Sequence, residues 1–425
     1  MSMGEGYLVA GMLLTFPLAI FYRYLIIPHT SPKHKDIFLT LTGVALYFFC
    51  FGMDAWHVVS MVTGTYLFMS VCGIRGVTCV VVFLTTMIHL LYGYITVSGV
   101  TYTVTWTLIH CQALLKVVGY FIDLYDEEKG SPESFLAYTA YVCFPFTNLV
   151  GPQFQYFRYK KFRETTEIPA SWSYSLRQAS LGVVYIALFY GVKHFTSTDF
   201  IISEEFLGWS FPFKLLFITF WTKWLITKYC AIWCISESAA CIAGLGKQEN
   251  GEWDGVVNVD VVKFETSLTI KDELTSFNIQ THQWVKRNVY KRCRRVLNNA
   301  LIARVSSLTF LYLWHGVYIG FLNLFVVEAL GISTEEALNR YVSQEKISRY
   351  VPVPRWILSG IQYVLKNMCV GYGLCGFALR TPARCHVFYS SVYYCFHWGM
   401  VGWLVLEAGV LRGLLGEEKR KGKSE

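Results

Sequence analysis

Apolar runs long enough to cross a bilayer recur along almost the whole of this 425-residue chain, each closed by a polar or charged cluster. A helix rises about 1.5 Å per residue and the hydrocarbon core is about 30 Å thick, so roughly 20 apolar residues make one crossing. Such runs lie near Tyr7 to Ile27, Ile37 to Phe51, Trp56 to Val71, Val77 to Val97, Thr103 to Leu124 and Phe135 to Leu149. Others follow near Ser175 to Tyr190, Phe211 to Ile235, Val305 to Val327, Trp356 to Leu379 and Val387 to Leu411. Interruptions such as Pro28 to Asp36 and Asp123 to Lys129 are too polar for lipid and mark exits. The expected fold is all-α: a polytopic integral membrane protein with about 11 membrane segments, the shorter of them re-entrant or interfacial.

Composition agrees with that class. Hydrophobic residues make up 54% of the chain and charged ones 16%, a balance suited to lipid and not to two or three soluble domains. The 13 Trp, 28 Tyr and 31 Phe are rings that spanning helices place at lipid interfaces and around cavities. The net charge of +8 gathers in short clusters beside membrane segments. That distribution favours a membrane surface or an anionic substrate as partner, and argues against nucleic acid. The 13 cysteines sit mostly singly in apolar runs, without CxxC pairs, so free thiols are expected, with neither disulfides nor a metal site. The first run holds Arg23 near its end and lacks a basic start with a small-residue cleavage site, and so reads as a retained span.

The chain reads as a single membrane domain over 1–425, with a polar loop at 246–300 and a short basic tail at 412–425. Loops this long usually carry function. The stretch Ile270 to Arg295 lacks Gly and Pro and suits one amphipathic helix or two.

The run Val305 to Val327 is 23 residues free of Lys, Arg, Asp and Glu, yet His315 lies near its middle, inside Tyr312-Leu313-Trp314-His315-Gly316. An imidazole is costly to bury there and is more useful facing a cavity. On position alone, a histidine hydrogen-bonded between core helices is an equally good reading. Nearby, Ser276-Phe277-Asn278-Ile279-Gln280-Thr281-His282-Gln283-Trp284-Val285 is followed by a basic stretch with six cations in ten residues: Lys286, Arg287, Lys291, Arg292, Arg294 and Arg295. Positive-inside topology explains such a cluster first; contact with the phosphates of an anionic ligand is a second duty it can serve.

These blocks carry a resemblance. The polar segment around Asn278, its basic exit, and the Trp314-His315-Gly316 that follows are similar to the membrane-bound O-acyltransferases. Within that family the likeness is to lysophospholipid acyltransferases, particularly the lysophosphatidylcholine type. It also draws on Val150-Gly151-Pro152-Gln153-Phe154, on Lys228-Tyr229 through Glu237 to Gly244-Leu245-Gly246, and on Phe264-Glu265-Thr266. It covers residues 150 to 320; the flanking spans agree only in hydropathy. One departure stands out: many members have Pro-Gly shortly after the histidine, where this chain has Ile319-Gly320.

The resemblance implies an intramembrane reaction cavity, with His315 as catalytic histidine and Asn278 as its partner, 37 residues earlier. It implies transfer of a fatty acyl group from acyl-CoA to a lysophospholipid hydroxyl, with acyl-CoA a substrate and no cofactor. The chemistry suits the residues, since a histidine of unperturbed pKa about 6.5 can take a hydroxyl proton at neutral pH. Asn278 can donate to the oxyanion or hold the acyl carbonyl or the imidazole in register. Gln153, Trp253, Glu265, Trp284, Trp314, Lys286, Arg287 and Arg292 are further candidates for lining the substrate route, although core packing explains an aromatic or a paired carboxylate equally well.

Two other readings stay in view. One is a family member that acylates a sterol, diacylglycerol or protein. The other is a transporter, which should show repeated halves with broken helices; none stands out in the sequence. Asp54, His89, His110 and Lys116 lie in or near apolar runs, where helix pairing is the first explanation. The lysines three and five residues from the terminus resemble a dilysine retrieval signal, which implies the endoplasmic reticulum membrane. Three crossings after the basic loop would set loop and tail on opposite sides, so either one late segment does not cross or one sidedness reading fails. Membrane lipid is an expected partner, and a homo-oligomer is left open.

Overall fold

A computed structural model describes residues 3–97, 104–127, 132–167, 171–342 and 353–411; the basic tail at 412–425 lies outside them. Among the described residues the regular structure is helical, with a single β-bridge between Val259 and Phe277. Six helical segments are long and apolar enough to cross a bilayer: Gly4–Ile26, Pro32–Cys72, Gly76–Val97, Thr107–Asp126, Trp172–Lys193 and Phe211–Ala243. The protein is thus an all-helical, membrane-embedded chain. The expected total of about 11 crossings is not reached by this measure, and the reasons are local.

The chain divides into two compact units. The first comprises Met1–Ala187, Lys228–Asp260 and Phe277–Val317. It contains α1 (Met3–Phe21), α2 (Pro32–Phe51), α3 (Trp56–Cys72), α4 (Gly76–Val97), α5 (Thr107–Asp126), α6 (Phe135–Val142), α7 (Tyr156–Glu164) and most of α8 (Trp172–Lys193). At Gly52 the backbone takes φ 57°, which separates α2 from α3 through a short 3-10 turn. A residue without Cβ carries that conformation at little steric cost. The interior of this unit is built around α5, which is buried along nearly its whole length.

The run Phe135 to Leu149 is not a spanning helix. Only α6 is helical, for eight residues, and the chain then runs from Val142 to Phe154 as turns and extended backbone, buried throughout. Pro145 and Pro152 lack an N–H and interrupt helical bonding there. Neighbouring side chains satisfy the freed main-chain groups. Asn148 donates to the carbonyls of Gly43 at 3.1 Å and Cys143 at 3.2 Å. Tyr141 donates to Phe154 at 2.9 Å, and Trp233 to Val150 at 3.1 Å. Such backbone is tolerated at membrane depth only when it is enclosed by protein.

The second unit comprises Leu188–Thr227, Val261–Ser276 and Tyr318–Glu425. Its helices include α9 (Glu204–Leu207), the first half of α10 (Phe211–Ala243), α11 (Val261–Thr266) and α12 (Ile270–Ser276). The remaining half of α10 belongs to the first unit, together with α13 (Ile279–Val285), α14 (Lys291–Leu297) and α15 (Ala300–His315). The second unit ends with α16 (Ile319–Tyr341), α17 (Arg355–Leu379), α18 (Pro382–Ser391) and α19 (Cys395–Leu406). In the polar loop α11 precedes the stretch Ile270 to Arg295, and that stretch forms two helical segments, α12 and a run from Ile279 to Leu297 in which a π-turn at Lys286–Tyr290 joins α13 to α14. The run Val387 to Leu411 is also broken, because Tyr393 and Tyr394 both take positive φ (56° and 49°) and redirect the chain between α18 and α19. A non-glycine residue rarely adopts that region, so sequence offered no sign of this break.

Candidate active site

The uncharged run Val305 to Val327 is not one helix. Helix α15 stops at His315, and Gly316 leaves the helix with φ 124°, its N–H closing on Tyr312 at 3.1 Å. His315 is therefore the last residue of a helix, half-buried, with its ring edge-on to Trp314 at 4.7 Å. Two hydrogen bonds fix this terminus. Trp314 donates its indole N–H to the carbonyl of Cys111 on α5 at 3.0 Å, and Tyr94 on α4 donates its hydroxyl to the carbonyl of Trp314 at 2.7 Å. Both anchors come from the rigid interior of the first unit, so the histidine is held by its backbone while its ring keeps some exposure.

Asn278 stands at the start of α13 with left-handed backbone, φ 50° and ψ 43°. Asparagine tolerates that region better than most residues. An asparagine at a helix start ordinarily accepts a bond from an N–H of the first turn, but Asn278 makes no such cap. Asn258 takes that task instead: its carbonyl accepts from Ile279 and its side-chain oxygen from Gln280, each at 3.0 Å. The side-chain nitrogen of Asn258 donates to the side-chain oxygen of Asn278 at 3.4 Å. The amide of Asn278 is thus oriented through its oxygen, and its NH2 hydrogens are not spent on Asn258.

His282 lies four residues after Asn278, on the same face of α13, and its backbone N–H donates to the carbonyl of Asn278 at 3.0 Å. His315, His282 and Asn278 all belong to the first unit, the last two at the start of α13 and the first at the end of α15. His282 was not singled out in the sequence; the signal that could have found it is its i, i+4 spacing from Asn278.

Residues 127–372 match the MBOAT, membrane-bound O-acyltransferase family. The chain belongs to that family. Two relatives are similar over most of their length. The protein named "Lysophospholipid acyltransferase 5" is 31% identical in Mus musculus, covering 92% of this chain and 85% of that protein. Its Bos taurus counterpart is 30% identical over 92% and 86%. A more distant relative, "Membrane-bound glycerophospholipid O-acyltransferase 2" of Gallus gallus, is 24% identical over 89% of this chain and 80% of that protein.

In this O-acyltransferase the other candidate residues fall into distinct settings. Gln153 is buried and holds α5, donating to the backbone carbonyl of Gln112 at 2.6 Å and to its side-chain oxygen at 3.2 Å. Trp284 is buried, donates to the carbonyl of Leu115 at 2.9 Å and stacks on Phe310 at 5.3 Å. Trp253 is half-buried and packs on the apolar interior of the first unit. Glu265 belongs to the second unit, where it pairs with Lys223 at 3.7 Å.

The basic stretch divides in two. Arg287 pairs with the buried Asp123 at 3.2 Å, and Arg292 pairs with Asp126, so both brace the end of α5. Lys286, Lys291, Arg294 and Arg295 are exposed. Of the weaker candidates, His89 shares a hydrogen bond with His57 at 3.0 Å, and His110 meets the carbonyl of Thr86 at 3.3 Å. Lys116 donates to Val142 at 3.4 Å and to Thr147 at 3.3 Å. All three tie helices of the first unit together, whereas Asp54 is exposed.

Proposed function

We propose that this chain is a lysophospholipid O-acyltransferase, transferring a fatty acyl group from acyl-CoA to the free hydroxyl of a lysophospholipid. The observation that carries the reading is the likeness, over nine-tenths of the chain, to proteins named for that activity. The chemistry of the site supports it. His315 acts as general base and takes the proton of the lysophospholipid hydroxyl as its oxygen attacks the thioester carbonyl. The tetrahedral intermediate carries an oxyanion, to which the NH2 of Asn278 donates. Collapse re-forms the carbonyl, breaks the carbon–sulfur bond and expels the CoA thiolate, which recovers the proton from the imidazolium. The products are a diacyl phospholipid and free CoA.

Every atom in this sequence comes from the two substrates and His315, so the step as written needs neither a cofactor nor an acylated enzyme. The exposed cations Lys286, Lys291, Arg294 and Arg295 suit the phosphates of CoA or an anionic bilayer surface. The endoplasmic reticulum membrane is the proposed location. The proposal holds for a monomer or a homo-oligomer.

The test is acyl transfer by the purified protein in lipid discs, with a panel of lysophospholipid headgroups and acyl-CoA chains. His315→Ala should lower kcat by about 10²- to 10⁴-fold, and Asn278→Ala by about 10²- to 10³-fold. Absence of transfer by the wild type, or full rate in His315→Ala, would overturn the reading.

A further inference from the structure

Asn278 occupies the position where an asparagine side chain normally caps its own helix, yet that duty is discharged from outside by one residue. Asn258 is buried, 2% exposed, in the stretch between α10 and α11. It meets the start of α13 through three separate groups: its carbonyl, its side-chain oxygen and its side-chain nitrogen. The first two satisfy the N–H groups of Ile279 and Gln280. The third reaches the side chain of Asn278 itself.

Asn258 is in turn tied down. The adjacent Val259 forms the β-bridge with Phe277, and the carbonyl of Val257 accepts from the side chain of Gln280 at 3.0 Å.

We propose that Asn258 is a positioning residue for the acyl-transfer step, setting which end of the Asn278 amide faces the reacting carbonyl. An amide can present either its NH2 or its oxygen, and only the NH2 can stabilise an oxyanion. By donating to the Asn278 oxygen, Asn258 selects the productive orientation; by capping α13, it releases Asn278 from the helix. The inference rests on the proposed acyltransfer reading.

A substitution at Asn258 separates positioning from mere support. In Asn258→Asp the remaining oxygens still accept from Gln280, but the ionised carboxylate no longer donates to Asn278 and instead attracts its NH2, turning the amide around. The expected result is a fall in kcat of about 100-fold near neutral pH, with the Michaelis constants of both substrates within about twofold of wild type. As pH falls, the variant-to-wild-type ratio of kcat should rise, because the protonated carboxyl donates again. Asn258→Ala should also lower kcat. In an Asn278→Ala background neither substitution should lower it further, since the group being oriented is absent.

Full kcat in Asn258→Asp, a pH-independent ratio, or losses that simply multiply with Asn278→Ala would overturn the inference. If Asn278→Ala itself keeps full rate, the reading of the site fails first. If Asn278→Ala loses activity while both Asn258 variants keep it, the positioning role alone is wrong.

Discussion

The hydroxyl of Tyr94 donates to the backbone carbonyl of Trp314 at 2.7 Å, one residue before His315. This bond joins α4 to the end of α15, and it restrains the proposed base through the main chain, leaving its ring untouched. Tyr94→Phe should therefore cost about 1 kcal/mol of stability and lower kcat several-fold while leaving both Michaelis constants near wild type. Steady-state kinetics with thermal unfolding in lipid discs checks both parts.

The crossing of α2 with the buried stretch after α6 depends on Gly43. A Cβ there would lie 1.7 Å from the carbonyl oxygen of Cys143, which is main chain and cannot swing aside. Gly43→Ala should destabilise the protein by about 1–3 kcal/mol or more and reduce its accumulation in membranes. Gly64 on α3 has open space around it, so Gly64→Ala should leave the unfolding midpoint unchanged or slightly raised.

Arg287 and Lys291 belong to the same basic stretch but differ in what they touch. Arg287 neutralises Asp123, whose side chain is only 5% exposed, and removing one partner of such a pair is expensive. Arg287→Ala should therefore destabilise the protein by about 2 kcal/mol or more, and Asp123→Asn should recover part of that loss. Lys291→Ala is expected within about 0.5 kcal/mol of wild type. Chemical or thermal unfolding of the single and double variants provides the measurement.

In the second unit, Glu273 is buried between two lysines. It pairs with Lys366, itself 2% exposed at its side chain, and with Lys223 at 3.2 Å. Lys366→Met should destabilise this unit less than Glu273→Leu, because the latter leaves two cations without their shared carboxylate. The double variant should fall short of the sum of the single losses. Equal or additive losses would show that the three groups do not act together.

The membrane class and the first helices were legible because hydropathy and polar exits are local properties of the chain. The separation of α2 from α3 also has a local sign in Gly52. Gly316 is a comparable sign at the end of α15, whereas the break at Tyr393-Tyr394 had none, since two tyrosines within an apolar run give no warning of positive φ. His315 and Asn278 were singled out through the family resemblance. Asn258 was not, because its importance arises from three hydrogen bonds made across 20 and more residues of sequence. Gln153 and Trp284 illustrate the converse: each has a residue type suited to a substrate route, and each is engaged in holding α5.

The stretch from Val142 to Phe154 has a bearing on how the protein is made. Its carbonyls find their donors on Trp233, Tyr141 and Asn148, and Asn148 reaches back to Gly43. Trp233 is synthesised some 80 residues after Val150. The donors on Tyr141 and Asn148 are made with the stretch itself, so the Val150 carbonyl alone of these gains its partner only after α10 has been synthesised, and this corner of the first unit closes later than its own translation.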